Sequence, residues 1–171
     1  MVLALAALTT GLVACRPDNA LWGSVSELFP LDVSRVDARR NEQALQISYF
    51  ANRGADIDLV ARVVVRTDGL ELAENQPLPL EGYADEAGIH PRTTVAHVAA
   101  GEPVRVLPLV SDGELTLHEL GEIGEQVRGT FDLSFVQGEA YGAGRGIGGT
   151  FSGELLDGGF GEEGFPDAGT P

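Results

Sequence analysis

Cysteine occurs once in these 171 residues, at position 15, and lysine does not occur at all. A single thiol excludes a disulfide within the chain and any cysteine-based zinc site. All 11 basic side chains are therefore arginines, set against 26 acids, and the net charge is -15. Phosphate recognition needs clustered cations, so this balance excludes nucleic acid as a partner. Helical signal is also scarce, because no window of about 11 residues or more holds an apolar stripe at helical spacing. The length is that of one ordinary domain, which argues against separate cofactor and substrate halves. What is present is apolar material, 43% of the chain against 22% charged. That is enough to fill an interior and too much for a wholly disordered polymer.

The apolar material is concentrated first at the amino terminus. Residues 1–14, MVLALAALTTGLVA, carry no charge and no proline and end in small residues directly before Cys15. The run is shorter than the roughly 20 residues a membrane-crossing helix needs and matches the apolar region of an export signal. Leu12-Val13-Ala14-Cys15 resembles the lipobox of bacterial lipoprotein precursors. The resemblance implies that residues 1–14 are a signal peptide removed by cleavage before Cys15, and that Cys15 is the lipidation site. Its acyl chains would then tether the chain to a membrane, each buried methylene contributing about 0.8 kcal/mol. Arg16, standing where an Asp would retain such proteins at the inner membrane, implies an outer-membrane place in the cell envelope. The alternative is a buried element over 1–14, with Cys15 an ordinary small core residue.

Residues 15–30 form a polar tether followed by one helical turn. Ser24 and Glu27 have capping-box spacing, and Pro30 stops the turn. Trp22, Leu28 and Phe29 would give it an apolar side, with Trp22 in the core or, alternatively, at a membrane surface. From Leu31 onward the pattern has period two. Leu45, Ile47 and Tyr49 share a face, as do Leu59, Ala61, Val63 and Val65 with Arg62 and Arg66 opposite. In VRGTFDLSF, Val127, Gly129, Phe131, Leu133 and Phe135 alternate with polar residues. Weaker strands are expected at 33–39, 70–72, 93–99, 104–110 and 114–120. Turns are expected at Asn52-Arg53-Gly54, Thr67-Asp68-Gly69 and Ser111-Asp112-Gly113.

VRGTFDLSF at 127–135 has an echo in IGGTFSGEL at 147–155, and a hairpin with its turn in the glycine-rich 138–146 accommodates both. These two segments resemble the closing hairpin of exported bacterial β-sandwich lipoproteins. The expected fold is all-β, an antiparallel β-sandwich of about eight short strands over 31–157, with a small β-barrel as the alternative. Residues 158–171, rich in Gly, Pro and acid, are expected to be a disordered tail. Residues 1–66 hold seven acids and seven arginines, whereas 67–171 hold nineteen acids and four arginines. An acidic body of this kind is held off an anionic bilayer, which fits tethering by lipid.

Few residues suggest chemistry. Gly142, Gly144, Gly146, Gly148 and Gly149 invite comparison with phosphate-binding loops, but a strand follows them where such a loop needs a helix. His90, His97 and His118 are the only imidazoles; their spacing matches no compact zinc motif, and they are expected to be ordinary, partly exposed side chains. Asp56 with Asp58 and Asp85 with Glu86 are the candidate calcium pairs, yet neither belongs to an EF-hand loop. No Gly-x-Ser-x-Gly elbow is present. No catalytic residue, metal or cofactor is assigned. The reading is a lipid-anchored envelope protein with a structural or interaction role. One alternative is a barrel-like carrier of a small apolar ligand, lined by Phe131, Phe135 and Phe151. Another is a hydrolase, recognisable by a cleft where a histidine and carboxylates converge.

Overall fold

Alternation of apolar and polar residues produces strands almost throughout. The computed structural model describes residues 18–158, except 68, 86, 87 and 100. The expected signal peptide, Cys15, Glu86 and all but the first residue of the expected tail lie outside the described residues. Among those described, the strands are β1 (Ala20–Trp22), β2 (Arg35–Arg40), β3 (Ala44–Arg53), β4 (Asp56–Arg66), β5 (Pro77–Pro79), β6 (Tyr83–Asp85), β7 (Gly88–His90), β8 (Thr93–Val98), β9 (Arg105–Val106), β10 (Val110–Leu120), β11 (Gln126–Phe135) and β12 (Gly146–Asp157). A single 3₁₀ turn, Ser24–Glu27, lies between β1 and β2. None of the described helices is long and apolar enough to cross a membrane.

Ten of the strands form one sheet, in the order β5-β10-β11-β12-β2-β3-β4-β8-β9, with β1 also on β12; β6 and β7 pair only with each other. This corrects the expected β-sandwich. Two separate sheets do not form because β12 belongs to both halves. Over 146–154 it lies antiparallel to β11, and over 155–157 it runs parallel to β2. The sheet therefore curls continuously into a half-barrel. It is not the closed small barrel either, since β5 and β9 end the order as two separate rims. Residues 107–109 span the opening: the Leu107 N–H donates to Val95 O at 2.8 Å, and Leu109 O accepts from the Val136 N–H at 2.9 Å.

The concave side holds the core. Leu45, Ile47 and Tyr49 of β3 are fully buried, facing Phe131, Leu133 and Phe135 of β11 and Phe151 of β12 within one apolar cluster. The Tyr49 and Phe131 ring centroids are 6.2 Å apart. Burial without a charged neighbour raises the Tyr49 phenol well above its usual range, and its hydroxyl donates to Thr150 O at 3.1 Å.

The Gly-Thr-Phe echo acquires a physical reason here. Its two copies meet in antiparallel register about the Thr130–Thr150 pair, so Gly129 faces Phe151 and Phe131 faces Gly149. Each ring covers the glycine opposite it. A methyl group on Gly129 would stand 2.6 Å from Phe151 Cζ, and one on Gly149 would stand 2.6 Å from Phe131 Cε1. Glycine is required on this face because the rings already occupy the space of its missing side chain.

Several local expectations change. The strand expected at 70–72 is irregular, and the edge strand forms instead at β5, where Pro77 and Pro79 are tolerated on the rim. The turn expected at Ser111-Asp112-Gly113 is a bulge inside the continuous β10, with Gly113 at φ 150°. Ser24 and Glu27 form no capping box. Ser24 Oγ accepts from the Gly146 N–H at 2.9 Å, while Arg145 donates to Glu27 at 2.6 Å and to Ser24 O at 2.9 Å. Both residues thus clasp the start of β12. Trp22 is half-buried on the convex side of the sheet, over Gly148, and is not a core residue.

Candidate functional site

One irregularity in the sheet builds the site. Tyr49 pairs with Ala61 and Phe50 with Leu59, so Val60 is skipped in the register with β3. On the other side Leu59 pairs with Val98 and Arg62 with Ala96, so Val60 and Ala61 together stand opposite His97. The extra residue bends β4 and turns peptide groups away from the ladder, as bulges do. Val60 O is met by Nδ1 of His97 at 2.9 Å. A carbonyl only accepts, so Nδ1 carries the proton; in the neutral ring Nε2 is then an acceptor.

His97 is 8% exposed, contrary to the expected partly exposed histidine. Its second support is Phe29, which follows the 3₁₀ turn. The two rings stack at a centroid distance of 3.9 Å and an interplanar angle of 9°. Pro30 ends the turn where the sequence placed the stop, and Phe29, 6% exposed, is pressed into the rim of the core. Imidazole orientation is therefore fixed from the side by a hydrogen bond and from above by an aromatic face.

Around His97 lies a cleft of about 340 Å³. Its apolar wall is Leu28, Phe29, Pro30, Val60, Ala99 and Tyr141, and its polar wall is Arg53, Asp58, Glu102 and Arg105. Arg53 Nε pairs with Asp58 at 3.0 Å, and Arg105 pairs with Glu102 at 3.2 Å. The Arg105 guanidinium also lies 5.0 Å over the Tyr141 ring. Formal charges on the cleft wall cancel, and each ion pair stands in partly exposed surroundings where its contribution to stability is small. A larger depression of about 520 Å³ lies beside Arg40, Glu122, Ile123 and Leu155, but its polar side chains are all at least partly exposed. The cleft is the place where a buried polar group meets concave apolar surface, the usual composition of a small-molecule site.

The remaining candidates are scattered. His118 is exposed on β10, with Nε2 3.2 Å from Thr130 Oγ1 and Nδ1 3.5 Å from Asn75 Oδ1. His90 is half-buried on β7, its ring 5.5 Å from that of Tyr83. Asp58 is drawn to Arg53, whereas Asp56 stands exposed at the start of β4. Among the described residues no three His, Cys, Asp or Glu side chains converge as metal ligands would. Phe131, Phe135 and Phe151, which the carrier alternative places around a ligand cavity, are packed in the core. Of the glycine-rich 142–149 segment, residues 142–145 belong to the hairpin turn, with φ 86° at Gly142 and 69° at Gly144, and residues 146–149 are the first of β12.

No protein-family model, curated protein sequence or solved structure matches the chain. The site is therefore read from its own geometry. Sequence reasoning missed it because the bulge at Val60 depends on register with two distant strands. The one available signal was His97 sharing an alternating face with Val95.

Proposed function

We propose that the chain is an exported, lipid-tethered binding protein that holds a small, largely apolar ligand in the cleft beside His97. The observation that carries this reading is the buried imidazole, immobilised by Val60 O and Phe29, in a concavity walled on one side by apolar residues and on the other by two arginine–carboxylate pairs. A ligand body would lie against Leu28, Pro30 and Tyr141. Its single polar donor would reach Nε2, and the two neutralised ion pairs would impose no net charge preference.

Hydrolysis is the second reading, because Asp58 and Glu102 share the cleft with His97. Two observations favour binding. Both carboxylates are engaged by arginines, and Nδ1 faces a backbone carbonyl in place of the carboxylate that would steady an imidazolium.

Titration of isotope-labelled protein with p-cresol and 1-octanol, each a hydrocarbon body with one hydroxyl, tests the cleft by NMR. The expected result is saturable shifts at the His97 imidazole and the Val60 and Ala99 amides, reduced in His97→Phe. Shifts absent from these groups, or spread over the surface, refute the reading. The tether is tested separately by feeding labelled palmitate to cells producing the full chain. Label on the protein and none on Cys15→Ser is expected; equal labelling of both, or of neither, removes it.

A further inference from the structure

The convex side of the sheet carries a second surface, remote in composition from the cleft. Cross-strand partners share a face, so the register places Glu114, Asp132, Gly148 and Trp22 in one row across β10, β11, β12 and β1. The next row is Thr116, Thr130, Thr150 and Ala20. Two depressions of about 300 and 360 Å³ lie along these rows and share Thr130 and Thr150. Trp22, Glu114 and Asp132 line the first; His118, Arg128 and Asn75 line the second.

Three features of this trough point to a ligand. The indole sits directly over Gly148, where a methyl group would stand 2.6 Å from both Trp22 Cε2 and Asp132 Oδ2. A glycine at this position keeps the ring low on the sheet beside the carboxylate. Glu114 and Asp132 are directly opposed on neighbouring strands, an arrangement of like charges that costs stability. Neither makes an ion pair among the described residues, and both are exposed. Finally, β11 and β12 are interior strands whose backbone groups are used by the ladder. A peptide reads a sheet through an open edge, whereas this face offers side chains alone: hydroxyls, carboxylates and an aromatic ring at the Trp22 end, with His118, Arg128 and Asn75 at the other.

We propose that the trough binds a glycan strand carrying amino groups. A sugar ring packs its C–H face on Trp22, its ammonium group lies between Glu114 and Asp132 and near the indole, and the threonine row exchanges hydrogen bonds with sugar hydroxyls. The site is independent of the His97 cleft.

Trp22 is the only tryptophan in the chain, so intrinsic fluorescence reports on the proposed site alone. The full chain is titrated with a β-1,4-linked glucosamine hexamer, and calorimetry is run in parallel. The expected result is a saturable change in emission, with affinity about tenfold weaker in Asp132→Asn or Glu114→Gln, the loss of one charge-assisted contact. His97→Phe should bind the hexamer unchanged. Both carboxylate variants alter exposed side chains, and circular dichroism verifies that they remain folded. Absence of saturable binding by both methods overturns the proposal, as does unchanged affinity in both carboxylate variants. Equal binding of the N-acetylated hexamer overturns the ammonium contact. Equal binding of trilysine overturns the glycan assignment, and equal binding of an oligogalacturonate, a glycan without amino groups, overturns the ammonium contact.

Discussion

Replacing Gly149 by Ala places a methyl group where the Phe131 ring already lies. The new carbon would stand 2.6 Å from Phe131 Cε1, 2.9 Å from Phe131 Cζ and 2.9 Å from Leu21 Cδ2. Ordinary contact begins near 3.5 Å, so ring and leucine must both move inside a core where Phe131 is 2% exposed. Overpacking of this kind costs about 1–3 kcal/mol, and the smaller chain entropy of alanine returns about 0.4–1 kcal/mol. The expected net loss is about 1–2 kcal/mol, or roughly 3–6 °C in Tm for a domain of this size. Gly153→Ala is the control on the same strand. Its nearest neighbour would be Val36 O at 3.9 Å, and its φ is not positive. Only the entropic gain applies there, so stability should rise by a few tenths of a kcal/mol or stay level. Urea titrations followed by Trp22 fluorescence and by circular dichroism measure both, and coincident transitions establish that one unfolding step is being read. A cycle with Phe131→Leu completes the assay: the leucine should cost about 1 kcal/mol less in the Gly149→Ala background than in the parent. A neutral Gly149→Ala, or strict additivity in the cycle, refutes the claim that the rings fill the space over their partner glycines.

Three other outcomes follow from the same contacts. The Tyr49 phenol is held above its usual pKa of about 10 by burial, so the folded state keeps its proton longer than the unfolded state does. Stability should be insensitive to this group below pH 10 and fall as pH rises beyond it, and Tyr49→Phe should flatten that decline in alkaline urea titrations. His97→Phe retains the stack on Phe29 but strands the buried Val60 carbonyl, and should cost about 1–3 kcal/mol by the same assay. Arg145→Met removes the donor to Ser24 O as well as the ion pair with Glu27, whereas Glu27→Gln touches a side chain 69% exposed. The first should cost about 1 kcal/mol and loosen β1 in hydrogen exchange, while the second should stay within about 0.5 kcal/mol.

Legibility from sequence tracked the range of the interaction. Leu45, Ile47 and Tyr49, and the five inward positions from Val127 to Phe135, were readable because period two is a property of one strand alone. The closing hairpin was readable because its two halves repeat a short pattern across a glycine-rich turn. Strand β1 was not, since Ala20–Trp22 becomes a strand only by pairing with Gly148, Gly149 and Thr150 far along the chain. The sandwich expectation failed for a related reason. Whether two halves form separate sheets or one depends on what β12 meets at residues 155–157, and nothing local to Leu155 specifies a parallel neighbour. The cleft was hidden further still. Period two puts Leu59 on one face with Ala61, and an unbroken alternation cannot reveal that Val60 is the inserted residue whose carbonyl meets His97.

The position of β12 in the sheet order also governs when the molecule can become itself. Until Gly146–Asp157 is available, β10 and β11 have no connection to β2, β3 and β4, and β1 has nothing to pair with. All strand pairing between the two halves of the sheet is made by β12, the last of the described strands, and such distant closures are slow. A nascent chain emerging from the ribosome would hold two sheet fragments not yet paired with each other until residues 146–157 are available. Strand order alone thus postpones the joining of the sheet until both of its halves have been made.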